Sequence, residues 1–401
     1  MRAGPYVPSA RPVASLPVPR SAPRAALLTL ALALTVSLSL VVVSCGKTHL
    51  YPIQARDASL DPTPAVDSSS LDGPAVDQVD PDASRLDLGG PELPGIAVCP
   101  EAVQLGYSTS GAITTDPATT GGAGGVEVTV TTAGDLIAAA ARADKVVIRI
   151  GGTITLTDPV VVKSDKTLEG LAPGDGLVGG GLSLKDNRNV IIRKLSISHV
   201  YSPNDAVALN NTQNVWIDHC DMFSDLEEDK GTYDGLVDIT HGSDFVTVSW
   251  NVFHDHYHTT LVGNSNAPEI QAQDTGHLHV TYHHNWFRRT VSYNPRVRFG
   301  SVHVLNNLYE DDVVFPGIAI ISQEFAQVLV EGNVFKNVAQ PIVTKYDDPD
   351  EGTVWLGNNS FTACGDSLIT MTRQWSPPYA YTVEPTDYTE AVIKKCAGLA
   401  P

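Results

Sequence analysis

Positive charge is scarce in this chain: 26 lysines and arginines stand against 45 aspartates and glutamates, a formal net charge of −19. Nonspecific nucleic-acid binding needs clustered Lys and Arg, so the balance argues against that class. A sugar polyanion would also be repelled, unless metal ions and local arginines reverse the field at its site. Cysteine is rarer still, with five residues in 401 and no Cys-x-x-Cys spacing, which argues against thiolate metal sites. Cys99, Cys220, Cys364 and Cys396 could instead form disulfides in an oxidising compartment, in a pairing the sequence does not reveal. Helix signals are thin. Only Thr131–Arg142, good helix formers after a Thr cap, reads as a clear helix. The length could hold two ordinary domains, but the uneven composition points to one large domain.

The sole long apolar run is Ala25–Val43, preceded by Arg2, Arg11, Arg20 and Arg24 and followed by Ser44-Cys45-Gly46. It reads as a targeting segment over residues 1–45. Small residues flanking a cysteine directly after the run resemble a bacterial lipoprotein box, which implies a lipid on Cys45 after cleavage. Ordinary secretion and an uncleaved anchor are the alternatives. Residues 46–97 are rich in Asp, Pro and Ser, and Pro-Ala-Val-Asp recurs at Pro64 and Pro74. Too few large apolar groups occur there to offset chain ordering, so the segment is expected to be a flexible acidic tether to a domain at 98–401.

That domain is built on a repeat. Asn189-Val-Ile-Ile, Asn214-Val-Trp-Ile, Phe245-Val-Thr-Val, Leu278-His-Val-Thr, Val302-His-Val, Val328-Leu-Val and Val354-Trp-Leu are β-branched segments recurring roughly every 25 residues. A second register runs in step. Asn251, Asn285, Asn307, Asn333 and Asn359 each precede an aromatic by two positions (Phe253, Phe287, Tyr309, Phe335, Phe361), with Asp221 and Phe223 as a variant pair. Short strands, scarce helix and recurring asparagine fit a right-handed parallel β-helix, with asparagines laddering at a bend and aromatics stacking inside. The helix at 131–142 is expected to cap its N-terminal end, where a bare edge invites aggregation.

Two longer intervals in the repeat hold the chemistry. Asp234 and Asp238, four residues apart on a strand-like run, point to one side, and Asp205 opens a similar run upstream. If Asp205 sits one turn away, the rungs are separated by roughly 5 Å, an arrangement costly without a cation. Oxygen ligands without Cys favour calcium over zinc. Downstream lie His254-Asp-His-Tyr-His258 and Pro295-Arg-Val-Arg298-Phe-Gly300, so three acids are followed by bases. That order suits a hard cation held opposite an anionic substrate.

With Thr119-Thr-Gly-Gly-Ala-Gly-Gly125, Val215-Trp-Ile-Asp-His219, Val246-Thr-Val-Ser-Trp-Asn251 and His283-His-Asn285 added, the ordered set resembles pectate lyases of polysaccharide lyase family one, over roughly Val98–Pro401. The resemblance implies a secreted parallel β-helix enzyme that cleaves polygalacturonate, an acidic plant cell-wall polysaccharide, by Ca²⁺-assisted β-elimination. It implies calcium at Asp205, Asp234 and Asp238, and a substrate carboxylate on Arg298, with Arg296 beside it. A monomer is expected, outside the cell or anchored to a bacterial envelope, touching membrane only through the lipid.

The chain also departs from the family pattern. The family's proton-abstracting arginine position holds Tyr293, its substrate-binding lysine position holds His258, and Pro203 stands where some members have an extra acidic ligand. Three readings stay open. Tyr293 or His258 serves as base; Arg288, Arg289 or Arg296 is displaced into the site; or the protein binds pectin through calcium without cleaving it. A phenol ordinarily ionises near about pH 10, so Tyr293 as base needs help from calcium, Arg298 or Arg296. His254, His256, His283 and His284 read as turn and ladder residues, and Trp216 and Trp286 as packing residues. A β-helical adhesin would keep the repeat but would not need the three aspartates together with Arg298.

Overall fold

The computed structural model describes residues 96, 98–100, 103–109, 118–311 and 317–399. The expected targeting segment with Cys45 and the expected acidic tether up to residue 97 lie outside the described residues, apart from Ile96.

The strand-forming segments stack rung upon rung in parallel register. Seven of them, including Arg188–Arg193, Gln213–Asp218, Asp244–Ser249 and His279–His283, belong to one ten-stranded sheet that runs from Val126–Val130 to Thr353–Gly357. Side chains facing the interior repeat Val and Ile down each column, as Val215, Val246, Val280, Val302 and Val328 do at 0% exposure. Asn189, Asn214, Phe245 and Leu278 at these bends have φ between 55° and 59°. Asparagine tolerates that left-handed region better than most residues, which explains its recurrence there.

The remaining strands form two runs joined by the eleven-residue strand Val252–Val262. Its first half pairs with Asp221–Phe223 and Trp286–Ser292, and its second half with Gly235–Thr240 and Arg296–Arg298. This one strand therefore carries His258 from the structural face to the run that holds the acids. The fold is a parallel β-helix.

Both expected stacks are present. Nδ2 of each asparagine donates to Oδ1 of the next, from Asn251 through Asn285, Asn307 and Asn333 to Asn359, always at 3.0 Å. Phe253, Phe287, Tyr309, Phe335 and Phe361 stack at 4.6–5.0 Å, each pair contributing about 0.5–1.5 kcal/mol beyond burial. The variant pair is a correction. Met222, not Phe223, is in register with Phe253, and Cys220 takes the ladder position by donating its N–H to Asn251 Oδ1. Phe223 points out of the stack and lies on His254 at 4.5 Å.

Helix α1, Ala133–Ala140, starts where the Thr cap requires: Thr132 Oγ1 accepts from the Asp135 N–H. It buries Leu136 and Ala140 against the strands Val146–Ile150 and Val160–Val161, near the terminal strand of the sheet. Among the described residues two further helices occur, α2 (Pro268–Asp274) and α3 (Thr386–Cys396). The latter lays Val392, Ile393 and Cys396 on an outer apolar cluster with Trp250, Leu308 and Val334. A disulfide joins Cys99 to Cys396, with Cα atoms 5.5 Å apart, while Cys220 and Cys364 are unpaired. No helix among the described residues is long and apolar enough to cross a membrane.

Candidate active site

Asp205 lies just before the strand Val207–Asn210, Asp234 just before Gly235–Thr240, and Asp238 within it; these strands pair with Ala208 beside Asp238. Asp205 thus sits one rung from Gly235, whose N–H donates to Asp205 Oδ1 at 2.9 Å. A Cβ on residue 235 would lie 2.3 Å from Asp238 Oδ1 and 2.9 Å from Asp205 Oδ1, so glycine is what lets both carboxylates converge. Burial, then the charge of Asp234, pushes Asp205 up to about 7. Burial, then Asp205 and Asp234, pushes Asp238 well above the usual carboxylate range. Like charges packed this way coexist only by taking up protons or a cation.

Among the described residues, no three His, Cys, Asp or Glu side chains are already drawn together as a metal cage, and Asp234 is exposed. The donor chemistry nonetheless fits a hard cation: three carboxylates on neighbouring rungs, two of them desolvated and repelling each other.

On the next rung His258 is in register with Gly235 on one side and Ser292 on the other. Its ring stacks on Tyr293 at 4.6 Å. Burial, then the positive charge of Lys230, outweighs the pull of Asp234 and lowers the His258 pKa, so the imidazole is neutral near pH 7. Tyr293 follows the strand Trp286–Ser292, and Arg296 Nη1 donates a hydrogen bond to its Oη, with the guanidinium carbon 4.9 Å from the ring centroid. Asp238, Leu261 and Arg296 occupy one column, placing Arg296 two rungs, roughly 10 Å, from Asp238. Acids, phenol, imidazole and guanidinium therefore line one run of rungs.

A family model for pectate lyase matches residues 97–400. The pectate lyase plyB of Emericella nidulans is 36% identical over 301 residues, spanning 74% of this chain and 89% of that protein. A pectate trisaccharide-lyase of Bacillus licheniformis is 33% identical over 305 residues, 73% of this chain and 86% of its own length. The chain belongs to the pectate lyase family. Among solved structures, pectate lyase Bsp165PelA from Bacillus sp. N165, in complex with trigalacturonate, superposes with a TM-score of 0.66 at 28% identity, over 74% of this chain and 99% of that one. The protein is a polysaccharide lyase.

In this pectate lyase the two motif arginines are not bare. Arg296 pairs with Asp347 and, at 3.1 Å, with Asp348; Arg298 Nε donates to Asp348 Oδ2 at 2.6 Å and its Nη1 to the Gly263 carbonyl at 3.0 Å. The aspartates come from a segment about 50 residues downstream, and no spacing in the sequence points to them.

His256 is the other residue the sequence hides. It is 2% exposed, with Nε2 2.9 Å from the Asp234 carbonyl and Nδ1 2.6 Å from Ser224 Oγ. Burial drives its pKa down to about 4, so the neutral ring donates to Asp234 and fixes the turn carrying that acid. The His-Asp-His pattern was visible, but not which ring faces the Asp234 turn. His254 lies between Asp221 and Asp255, and His284 stacks on Trp250 and meets Glu384 at 3.0 Å. His283 is buried beside His284. Trp216 is buried with its Nε1 donating to Ser249 Oγ, and Trp286 lies under Arg288. Arg289 is held by Asp255 at 2.6 Å. Arg288 pairs in register with His254, four residues along the strand from Ser292, so neither arginine reaches the phenol as Arg296 does.

Proposed function

We propose that this pectate lyase cleaves polygalacturonate by β-elimination, with calcium at Asp205, Asp234 and Asp238 and Tyr293 as the base. The observation that carries the reading is the placement of the Tyr293 phenol: stacked on neutral His258, which itself lies one rung from the acids, and bonded by Arg296.

Calcium bound there would neutralise a uronate carboxylate and so make the neighbouring C5 hydrogen more acidic. The chain's own groups do the rest. Arg296 Nη1 donates to the Tyr293 oxygen, a hydrogen bond that strengthens as that oxygen gains negative charge. The phenolate oxygen takes the C5 proton; the C5–H electron pair forms the C4–C5 double bond, the C4–O4 bond breaks, and O4 leaves with a proton from solvent. His258 holds the phenol in place by stacking and, being neutral, adds no competing charge. His256 holds the Asp234 turn. Arg298 offers a hydrogen bond to the carboxyl group of an adjoining sugar.

The test is Tyr293→Phe, which keeps the ring on His258. Elimination should fall by about 10²–10⁴ with little change in substrate affinity, the usual worth of a general base, and the wild-type rate should climb into alkaline pH. Full activity in Tyr293→Phe removes the tyrosine from this role. A rate that plateaus above neutrality and is lost in His258→Ala transfers the role to the imidazole.

We further read the chain as a secreted monomer anchored through a lipid on Cys45. Cys45→Ser should then move the protein from the membrane to the soluble fraction; equal release of both forms means plain secretion.

A further inference from the structure

The motif arginines are already bound to carboxylates, and those carboxylates belong to the protein. Arg296 and Arg298 have side chains only 4% and 9% exposed. Asp348, at 13%, lies over both; Asp347, at 55%, caps Arg296 from the solvent side. The segment that delivers them is anchored at several points. Glu324 N donates to Asp350 O at 3.0 Å, Asp350 N to Glu324 Oε1 at 3.2 Å, and Gly352 N to Ser322 O at 3.1 Å. Gln323 Nε2, on the neighbouring strand, reaches Asp347 Oδ1 at 3.3 Å, and the Tyr346 ring lies 5.7 Å from the Arg296 guanidinium. Two arginines facing two aspartates leave no net positive charge at this end of the site, and the adjacent His258 is neutral. A free uronate carboxylate arriving at Arg298 meets a guanidinium whose Nε is taken and an aspartate of its own sign. A methyl-esterified uronate meets no such repulsion, and its carbonyl still accepts a hydrogen bond.

We propose that Asp348, assisted by Asp347, determines substrate specificity: it occupies on Arg298 the place of a substrate carboxylate, so that this subsite accepts methyl-esterified galacturonate as readily as the free acid. Arg298, its charge compensated by Asp348, is thereby a hydrogen-bond donor to the substrate chain and not an anion hook, and the demand for a free carboxylate is confined to the sugar at the aspartate triad. This rests on the proposed action on pectate.

The experiment uses the mature protein and measures two quantities on polygalacturonate and on partly methyl-esterified pectin in calcium: kcat/KM for unsaturated product, and retardation in gels cast with each polymer, which reads binding without catalysis. Wild type should treat the two polymers within about threefold of each other. Asp348→Asn, which keeps an acceptor of the same shape beside Arg298, should shift the binding ratio toward polygalacturonate by about tenfold, the scale of one charge-assisted hydrogen bond. Asp347→Asn, which leaves the Arg298–Asp348 pair intact, should shift it less. Wild type that binds polygalacturonate far more tightly than the esterified polymer overturns the proposal, whether or not the Asn variants fold. A loss of polygalacturonate binding in Asp348→Asn also overturns it, since Asp348 would then only orient Arg298. If wild type releases no unsaturated product yet binds both polymers alike, the lyase reading fails and the specificity assignment stands. Product release with a strict preference for the free acid has the opposite meaning.

Discussion

Asn307→Ala removes the central rung of the asparagine ladder, and its cost can be worked from the contacts. Asn307 is fully buried; its Oδ1 accepts from the Asn285 N–H at 2.9 Å and from Asn285 Nδ2 at 3.0 Å, and its Nδ2 donates to Asn333 Oδ1, Tyr282 O and Leu305 O at 3.0–3.1 Å. Not every partner is orphaned. Asn285 Nδ2 keeps Val248 O, and Asn333 Oδ1 keeps the Asn307 N–H. The Asn285 backbone N–H loses its side-chain acceptor in a buried site, which costs about 1–3 kcal/mol. The small cavity left by the amide adds about 1 kcal/mol, for a total near ~3 kcal/mol. Asn359, half-buried at the end of the ladder, should cost less on the same change because water can reach the groups it abandons. Urea unfolding of Asn307→Ala, Asn359→Ala and wild type, followed by circular dichroism, reads the difference directly. If Asn307→Ala unfolds within about 0.5 kcal/mol of wild type, the ladder contributes no net stability and the reasoning fails.

Two further outcomes follow from the site. Asp234→Asn or Asp238→Asn should weaken calcium affinity and polygalacturonate binding together while circular dichroism stays unchanged; calorimetry showing wild-type calcium affinity in both variants would remove the metal-site assignment. His256 is neutral in the fold down to about 4, whereas an unfolded histidine takes a proton below about 6.5. Stability should therefore fall as pH drops through that window, by up to about 3 kcal/mol from this group, and His256→Gln should flatten that acid limb; an unchanged limb would show that the buried ring is not its source.

Much of the architecture could be read from residues alone because the β-helix repeats one physical solution. An asparagine at a bend satisfies backbone groups above and below, and an aromatic two positions on falls inside, so both leave a periodic trace. The trace broke at Asp221 and Phe223, where the spacing imitates the pair but Met222 is the inward residue and Cys220 takes the ladder place. Helix α3 was legible and overlooked: Pro385 precedes it, Lys394 and Lys395 close it, and Tyr388, Val392, Ile393 and Cys396 mark one face. At the site, the placement of Asp205 one rung from the strand of Asp234 and Asp238 was legible by spacing, since adjacent rungs preserve register. The pairing of Asp347 and Asp348 with the motif arginines was not, because it joins different rungs through a loop that obeys no repeat. The same holds for Cys99 with Cys396, 297 residues apart, and for His256 under the Asp234 turn.

The central claim is that this β-helix breaks polygalacturonate by elimination at a calcium-dependent site. Incubating the mature protein with polygalacturonate and following the ultraviolet absorbance of unsaturated uronate tests it most directly. Absorbance should rise in calcium, stop when a chelator is added and resume when calcium is restored. A flat trace in calcium, or new reducing ends without unsaturated product, would contradict the account.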